Sequence, residues 1–144
     1  MEKSLGAIAK GGTSELVDVI QNAEPIKTKG LVFMDSPGYD PVSVTEQVAS
    51  GANVVCFTTR RGSVFGCKPL PSLKLVTNFS MFFRMTEDMD LNCGEIIDDT
   101  TDVQEMGSII FQKILATASR ELTKCVEFGF GDYEFVPWEI GAVL

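Results

Sequence analysis

A chain of 144 residues with 44% hydrophobic and 22% charged residues is long enough to fold as one domain that buries roughly 70% of its unfolded surface, without help from a disulfide or a metal. Its net charge of −8, from 12 basic and 20 acidic residues, disfavours nucleic acid and anionic membrane as partners, because both select a basic excess. Histidine is absent, and the cysteines at 56, 67, 93 and 125 include no Cys-x-x-Cys pair, which removes the commonest general base and the usual zinc and thioredoxin spacings.

The first residues, MEKSLGAIAKGG, lack a long apolar segment, and no stretch is apolar enough to span a bilayer. A soluble cytoplasmic protein with reduced thiols is expected. Residues 2–23 carry Leu5, Ile8 and Ala9, then Leu16, Val17, Val19 and Ile20, at a spacing that predicts two short helices, the second capped by Thr13 or Ser14. Leu31 to Met34 is an apolar strand that closes on Asp35 and the loop DSPGYDP. Pro41 then opens a helix through Ser50, with Asp40 as its cap, and Gly51 ends it. Residues 53–59 (NVVCFTT) suit a buried strand. This strand–loop–helix–strand order predicts parallel pairing.

Residues 60–71 (RRGSVFGCKPLP) follow that strand, where open α/β sheets bind their ligands. Arg60, Arg61 and Lys68 make the loop cationic; Gly62 and Gly66 free its backbone, and Pro69 and Pro71 stiffen its exit. The glycine spacing is one residue short of a P-loop, and Cys67 and Pro69 break the pattern that would hold a nucleotide. Further on, residues 73–77 read as a third strand, 81–85 as a short helical or irregular piece, and 86–99 have no fixed assignment. Residues 102–120 form the clearest helix, with Val103, Met106, Ile109, Ile110, Ile114 and Ala118 on one face. Thr101 or Asp102 is its cap, and Gly107 allows close packing. Gly129 and Gly131 begin a dinucleotide fingerprint that Glu134 breaks, so Phe130, Tyr133, Phe135 and Trp138 are read as wrapping the core.

The blocks GLVFMDSPGYDPVSVTEQVASGANVVCFTT, RGSVFGCKPLPSLKLVTN, MDLNCGEIIDD and GDYEFVPWEIGAVL, long and in order, resemble the carboxy-terminal part of the altronate and galactarate dehydratases, a group that also includes a sulfolactate sulfo-lyase subunit. Arg60 stands where the family pattern has a glycine. The resemblance implies a single α/β domain over residues 1–144, Rossmann-like and three-layered, with a mainly parallel sheet flanked by helices. It also implies an iron-dependent sugar-acid dehydratase that yields a 2-keto-3-deoxy acid, whose amino-terminal and middle domains are further partners of this one.

Such an elimination needs a base for the α-proton, a Lewis acid for the departing hydroxyl and cations for the substrate carboxylates. Arg61 suits a carboxylate clamp because a guanidinium binds it through two hydrogen bonds. Ser63 and Lys68 are further substrate contacts, and Lys68 or Asp35 is the candidate base. Cys67, Cys93 and Asp40 are candidate iron ligands, and three cysteines holding an iron–sulfur cluster is an alternative. Against these stand plainer roles: Cys56 as core filler, Cys125 as core or exposed, Asp40 as helix cap, and Asp98 and Asp99 as a solvated turn. Two other readings remain, a module that docks onto the missing domains, with an exposed apolar patch and a tendency to homo-oligomerise, and a metal-free sugar-acid binding domain.

Overall fold

The computed structural model describes Gly6 and residues 9–98 and 100–136; the expectations for Leu5, Ile8, Asp99 and Trp138 lie outside these residues. The described chain runs β1 (Leu16–Ile20), β2 (Leu31–Met34), α1 (Asp40–Ala49), β3 (Val55–Thr59), β4 (Ser72–Val76), α2 (Phe79–Arg84), β5 (Leu91–Asn92), a 3₁₀ turn (Cys93–Ile96), α3 (Val103–Ala118) and α4 (Lys124–Glu127). All strand pairs are parallel, in one sheet ordered β1-β2 and another ordered β3-β4-β5. The α/β class, the parallel pairing and the flanking helices are those expected.

Residues 16–20 correct the helix predicted for the amino-terminal segment. Three of these five residues, Val17, Val19 and Ile20, are β-branched, which costs χ1 freedom in a helix and favours a pleated strand. This strand gives β2 its partner, with Leu31 opposite Leu16 and Met34 opposite Ile20. The predicted pairing of β2 with β3 across the intervening helix is therefore absent among the described residues. Instead the end of α1 is tied to the β1–β2 unit: the Ile26 N–H donates to the Ser50 carbonyl at 2.9 Å, and Ser50 Oγ donates to Met34 Sδ at 3.2 Å.

In α1, Tyr39 rather than Asp40 is the capping position, with Pro41 in the first turn. Asp40 lies inside that turn, where its carboxylate faces the positive end of the helix dipole. The helix sends Val44 into a core shared with Val55 of β3 and with Phe65, Cys67 and Leu70 of the long connection between β3 and β4. Phe57 and Phe65 stack there with ring centroids 5.6 Å apart.

Strand β4 is buried along its whole length. Its side chains alternate between faces, so Leu73 and Leu75 pack with Cys93 and Met106 in a second core that Ile110 and Ile114 of α3 complete. Three layers result, with α1 and the long connection on one side of β3–β4–β5 and α3 on the other. Asp102 caps α3 by accepting the Glu105 N–H at 2.8 Å. Of the predicted helix face, Met106 is buried, while Val103 and Ile109 are exposed. Gly107 faces open space, so the close packing expected there does not occur.

The aromatic tail also departs from expectation: Phe130, Tyr133 and Phe135 are exposed rather than plugging the core. What packs is the backbone between them. A Cβ on Gly131 would lie 2.8 Å from the Gly66 carbonyl carbon, so the tail crosses the long connection with glycine against glycine. Glu134 accepts the Gly66 N–H at 2.8 Å, and Asp132 pairs with Lys68.

Candidate active site

In a parallel sheet the carboxyl ends of all strands share one edge, and the loops leaving that edge converge. Here those loops are Arg60–Ser63 after β3, Thr77–Asn78 after β4 and Cys93–Gly94 after β5. The first is held locally: Thr59 Oγ1 donates to the Gly62 carbonyl at 3.2 Å, and the Ser63 hydroxyl accepts the Phe65 N–H at 3.1 Å. Gly62 has φ +85° and lies against Met81 of α2 and Met85 just after it, so the turn needs both the left-handed backbone and the missing side chain. Arg60 and Arg61 project from it into solvent, and neither forms a salt bridge among the described residues.

The predicted site residues are not brought together as one cluster. Lys68 lies at the other end of β3 from Arg61, because the connection runs back down the sheet before β4 starts: the Val55 N–H donates to the Pro71 carbonyl at 3.0 Å. Five strand residues separate these ends, about 17 Å, and the Lys68 ammonium is taken up by Asp132. Asp35 is exposed at the carboxyl end of β2, in the other sheet, where its N–H donates to the Ile20 carbonyl at 3.0 Å. Arg61 and Ser63 are the two predicted substrate contacts that share the carboxyl edge.

The proposed iron ligands do not fit an iron ion. Cys67 is 2% exposed in one core and Cys93 6% exposed in the other, while Asp40 is on the surface. Burial raises both thiols, Cys67 further through the nearby Cys125 and Glu134 charges, against a Leu70 N–H that lowers it, and Cys93 further through Glu95. A raised thiol resists giving the thiolate that a metal binds. Among the described residues no group of three or more carboxylate or cysteine side chains could hold a metal ion.

Cys56 reverses its expected role: it is exposed, on the sheet face opposite Val55 and Phe57 that it shares with Leu73 of β4, although partial desolvation still raises its thiol. A disulfide reagent should therefore modify one thiol of the native chain, at a rate that climbs with pH, and three more only on unfolding. Rapid labelling of Cys67 or Cys93 in the native chain, read by mass spectrometry, would overturn their placement in the core.

Sequence reasoning missed a buried ionic group in β4. Lys74 is 0% exposed, its Nζ has no hydrogen-bond partner, and the nearest carboxylate oxygen, on Asp88, is 3.7 Å away. Asp90 joins the same neighbourhood by accepting the Lys74 and Lys124 N–H groups, each at 2.7 Å. Desolvation holds its carboxyl above the ordinary range, opposed by those two hydrogen bonds and by Lys74 and Lys113. The available signal was a lysine inside the apolar run LKLV, a pattern that buries the charge if the strand is central.

No helix among the described residues is long and apolar enough to cross a membrane. Similarity to known proteins runs along nearly the whole chain. It is 38% identical over 119 residues to galactarate dehydratase (L-threo-forming) of Escherichia coli K12, covering 83% of this chain and 23% of that protein. It is likewise 38% identical over 104 residues to altronate dehydratase of Bacillus subtilis 168, covering 72% of this chain and 20% of that one. With the (2R)-sulfolactate sulfo-lyase subunit beta of Chromohalobacter salexigens it shares 33% identity over 133 residues, 92% of this chain and 34% of the relative. The chain thus spans between a fifth and a third of these relatives. The family described as D-galactarate/Altronate dehydratase, C-terminal, matches residues 1–143, and this chain belongs to it.

Proposed function

We propose that this domain serves a hydro-lyase that removes water from a sugar acid to give a 2-keto-3-deoxy acid, and that its part is to hold a substrate carboxylate at the carboxyl edge of β3–β4–β5. The observation that carries this reading is Arg61, free of salt bridges among the described residues and set on a turn fixed by Thr59, Gly62 and Ser63. Loss of the α-proton builds negative charge on the carbon beside the carboxylate and delocalises it onto the carboxylate oxygens. A guanidinium already bound to that carboxylate stabilises the charge as it develops. Ser63 shapes the turn and keeps its own O–H available as a donor.

Lys68 lies at the far end of β3 with its ammonium taken up by Asp132, and Asp35 belongs to the other sheet, so we assign the base to the portion of the longer relatives that this chain does not cover. The iron implied by the family resemblance would take its ligands there too, since Cys67, Cys93 and Asp40 do not converge. Thermal melting of the full chain with galactarate or altronate tests the reading. A saturable rise is expected, worth about 2.7 kcal/mol at a hundredfold excess over Kd, insensitive to chelator and lost in Arg61→Ala. An equal rise in Arg61→Ala, or no rise with either sugar acid, would sink it.

A second reading, docking onto the rest of the enzyme, is favoured by α3. Val103, Phe111 and Leu115 stand 63%, 57% and 45% exposed on it, followed by Leu122 at 59%. Sedimentation of the full chain separates the two readings: association suppressed by Phe111→Lys favours docking.

A further inference from the structure

At the amino-terminal end of β3, remote from Arg61, a cavity of about 550 Å³ opens between Asn53–Val54, the exit of the long connection and the turn that ends α3. This is the size of a small-molecule site. Its walls include Val54, Leu70, Leu122 and Val126, and its charged groups are Lys68, Arg120 and Glu121. Asp132 takes up Lys68, and Lys113 takes up Glu121. Arg120 has no salt bridge among the described residues, which leaves it as the cation available to a ligand.

Two further features point to the same place. Thr117 lines the cavity, is 4% exposed, and has a buried hydroxyl without a hydrogen-bond partner. A helical threonine can satisfy its hydroxyl on the carbonyl four residues back; this one does not. Arg120 sits at φ +81°, just past the helix, a position that favours glycine. The Arg120 N–H bond to the Thr117 carbonyl at 3.0 Å and the Glu121 N–H bond to the Ala116 carbonyl at 2.9 Å hold it there. A strained, unpaired arginine therefore borders a cavity with apolar walls, and an unsatisfied hydroxyl lies just behind the wall at Thr117.

We propose that this cavity binds a small organic carboxylate. The Arg120 guanidinium pairs with the carboxylate, the Thr117 hydroxyl, unsatisfied where it stands, turns about χ1 to donate to it, and Val54, Leu122 and Val126 cover its hydrocarbon part. The site is separate from the carboxyl edge and does not rest on the function assigned there.

Butyrate, its neutral isostere butyramide, and inorganic phosphate are titrated into the full, ¹⁵N-labelled chain. Butyrate should give saturable shifts at the amides of residues 117–122 and 68, and the other two should not. Arg120→Gly should weaken butyrate at least tenfold while its melting temperature holds or rises, because glycine relaxes the backbone. Thr117→Val should weaken it too, and decides the matter if Arg120→Gly fails to fold. Butyrate shifts that do not saturate, butyramide or phosphate binding as tightly, or undiminished binding by both variants would overturn the proposal.

Discussion

Asp88→Ala should cost about 3–5 kcal/mol in urea denaturation, while Lys74→Met should leave stability unchanged or raise it by about 1–4 kcal/mol. The reasoning starts from a lysine that is 0% exposed with its ammonium 3.7 Å from an Asp88 carboxylate whose side chain is 18% exposed. Their attraction is about 4 kcal/mol at the effective dielectric of such sites. It is set against a desolvation penalty of several kcal/mol for each ion. The pair as a whole is therefore near balance, but removing the carboxylate alone leaves an ammonium with neither water nor a hydrogen bond. Methionine keeps most of the lysine's length and removes the charge, so the double variant Lys74→Met, Asp88→Ala should recover most of what Asp88→Ala loses. A loss below about 1 kcal/mol for Asp88→Ala would mean that water reaches Lys74 after all.

Asp90 makes this cycle readable. It bridges β4 to α4 through two backbone N–H groups, so it stays satisfied when Lys74 or Asp88 changes. The cycle then reports the ion pair and not a collapse of the strand edge.

Much of the architecture could be read locally. The helix over 103–118 is signalled by Asp102 and by Met106, Ile110 and Ile114 at helical spacing, and β4 by a short apolar run between turns. Both signals come from neighbours in the chain. The strand 16–20 was misread because Leu16, Val17, Val19 and Ile20 satisfy a helical spacing as well as an apolar strand, and only pairing with Leu31–Met34 decides between them. Cys56, expected in the core, is exposed for a related reason. Val54, Val55, Cys56 and Phe57 form a continuous apolar run that names no face, and the returning loop covers Phe57 while leaving Cys56 open. The carboxyl-edge position of Arg61 followed from its place after a strand. The remoteness of Lys68 did not, since seven residues are enough either to stay at one edge or to cross to the other.

Two alanine substitutions that look alike in sequence should act in opposite directions. Gly107→Ala should stabilise the chain by about 1 kcal/mol, because Gly107 lies within α3 and an added Cβ meets nothing within 4 Å. Gly131→Ala should destabilise it by about 3 kcal/mol, the combined scale of a forced positive φ and an overpacked contact. At Gly131 φ is +96°, and the new Cβ would stand 2.8 Å and 2.9 Å from the carbonyl carbon and oxygen of Gly66. Those are backbone atoms and cannot rotate aside. Gly66 cannot retreat either, since the space beside its own α-carbon is occupied by Cys125, with Cβ to Cβ at 3.0 Å if a side chain were added. The contact should give by releasing the tail, breaking the Glu134 bond to the Gly66 N–H and the Asp132 pairing with Lys68. Limited proteolysis should then cut residues 128–136 faster in Gly131→Ala than in the parent. Equal cleavage and equal urea midpoints would show that the glycine–glycine crossing does not hold the tail. The long connection between β3 and β4 meets the tail at that crossing, so the same variant should also loosen Phe65 and Cys67 and expose the Cys67 thiol to labelling.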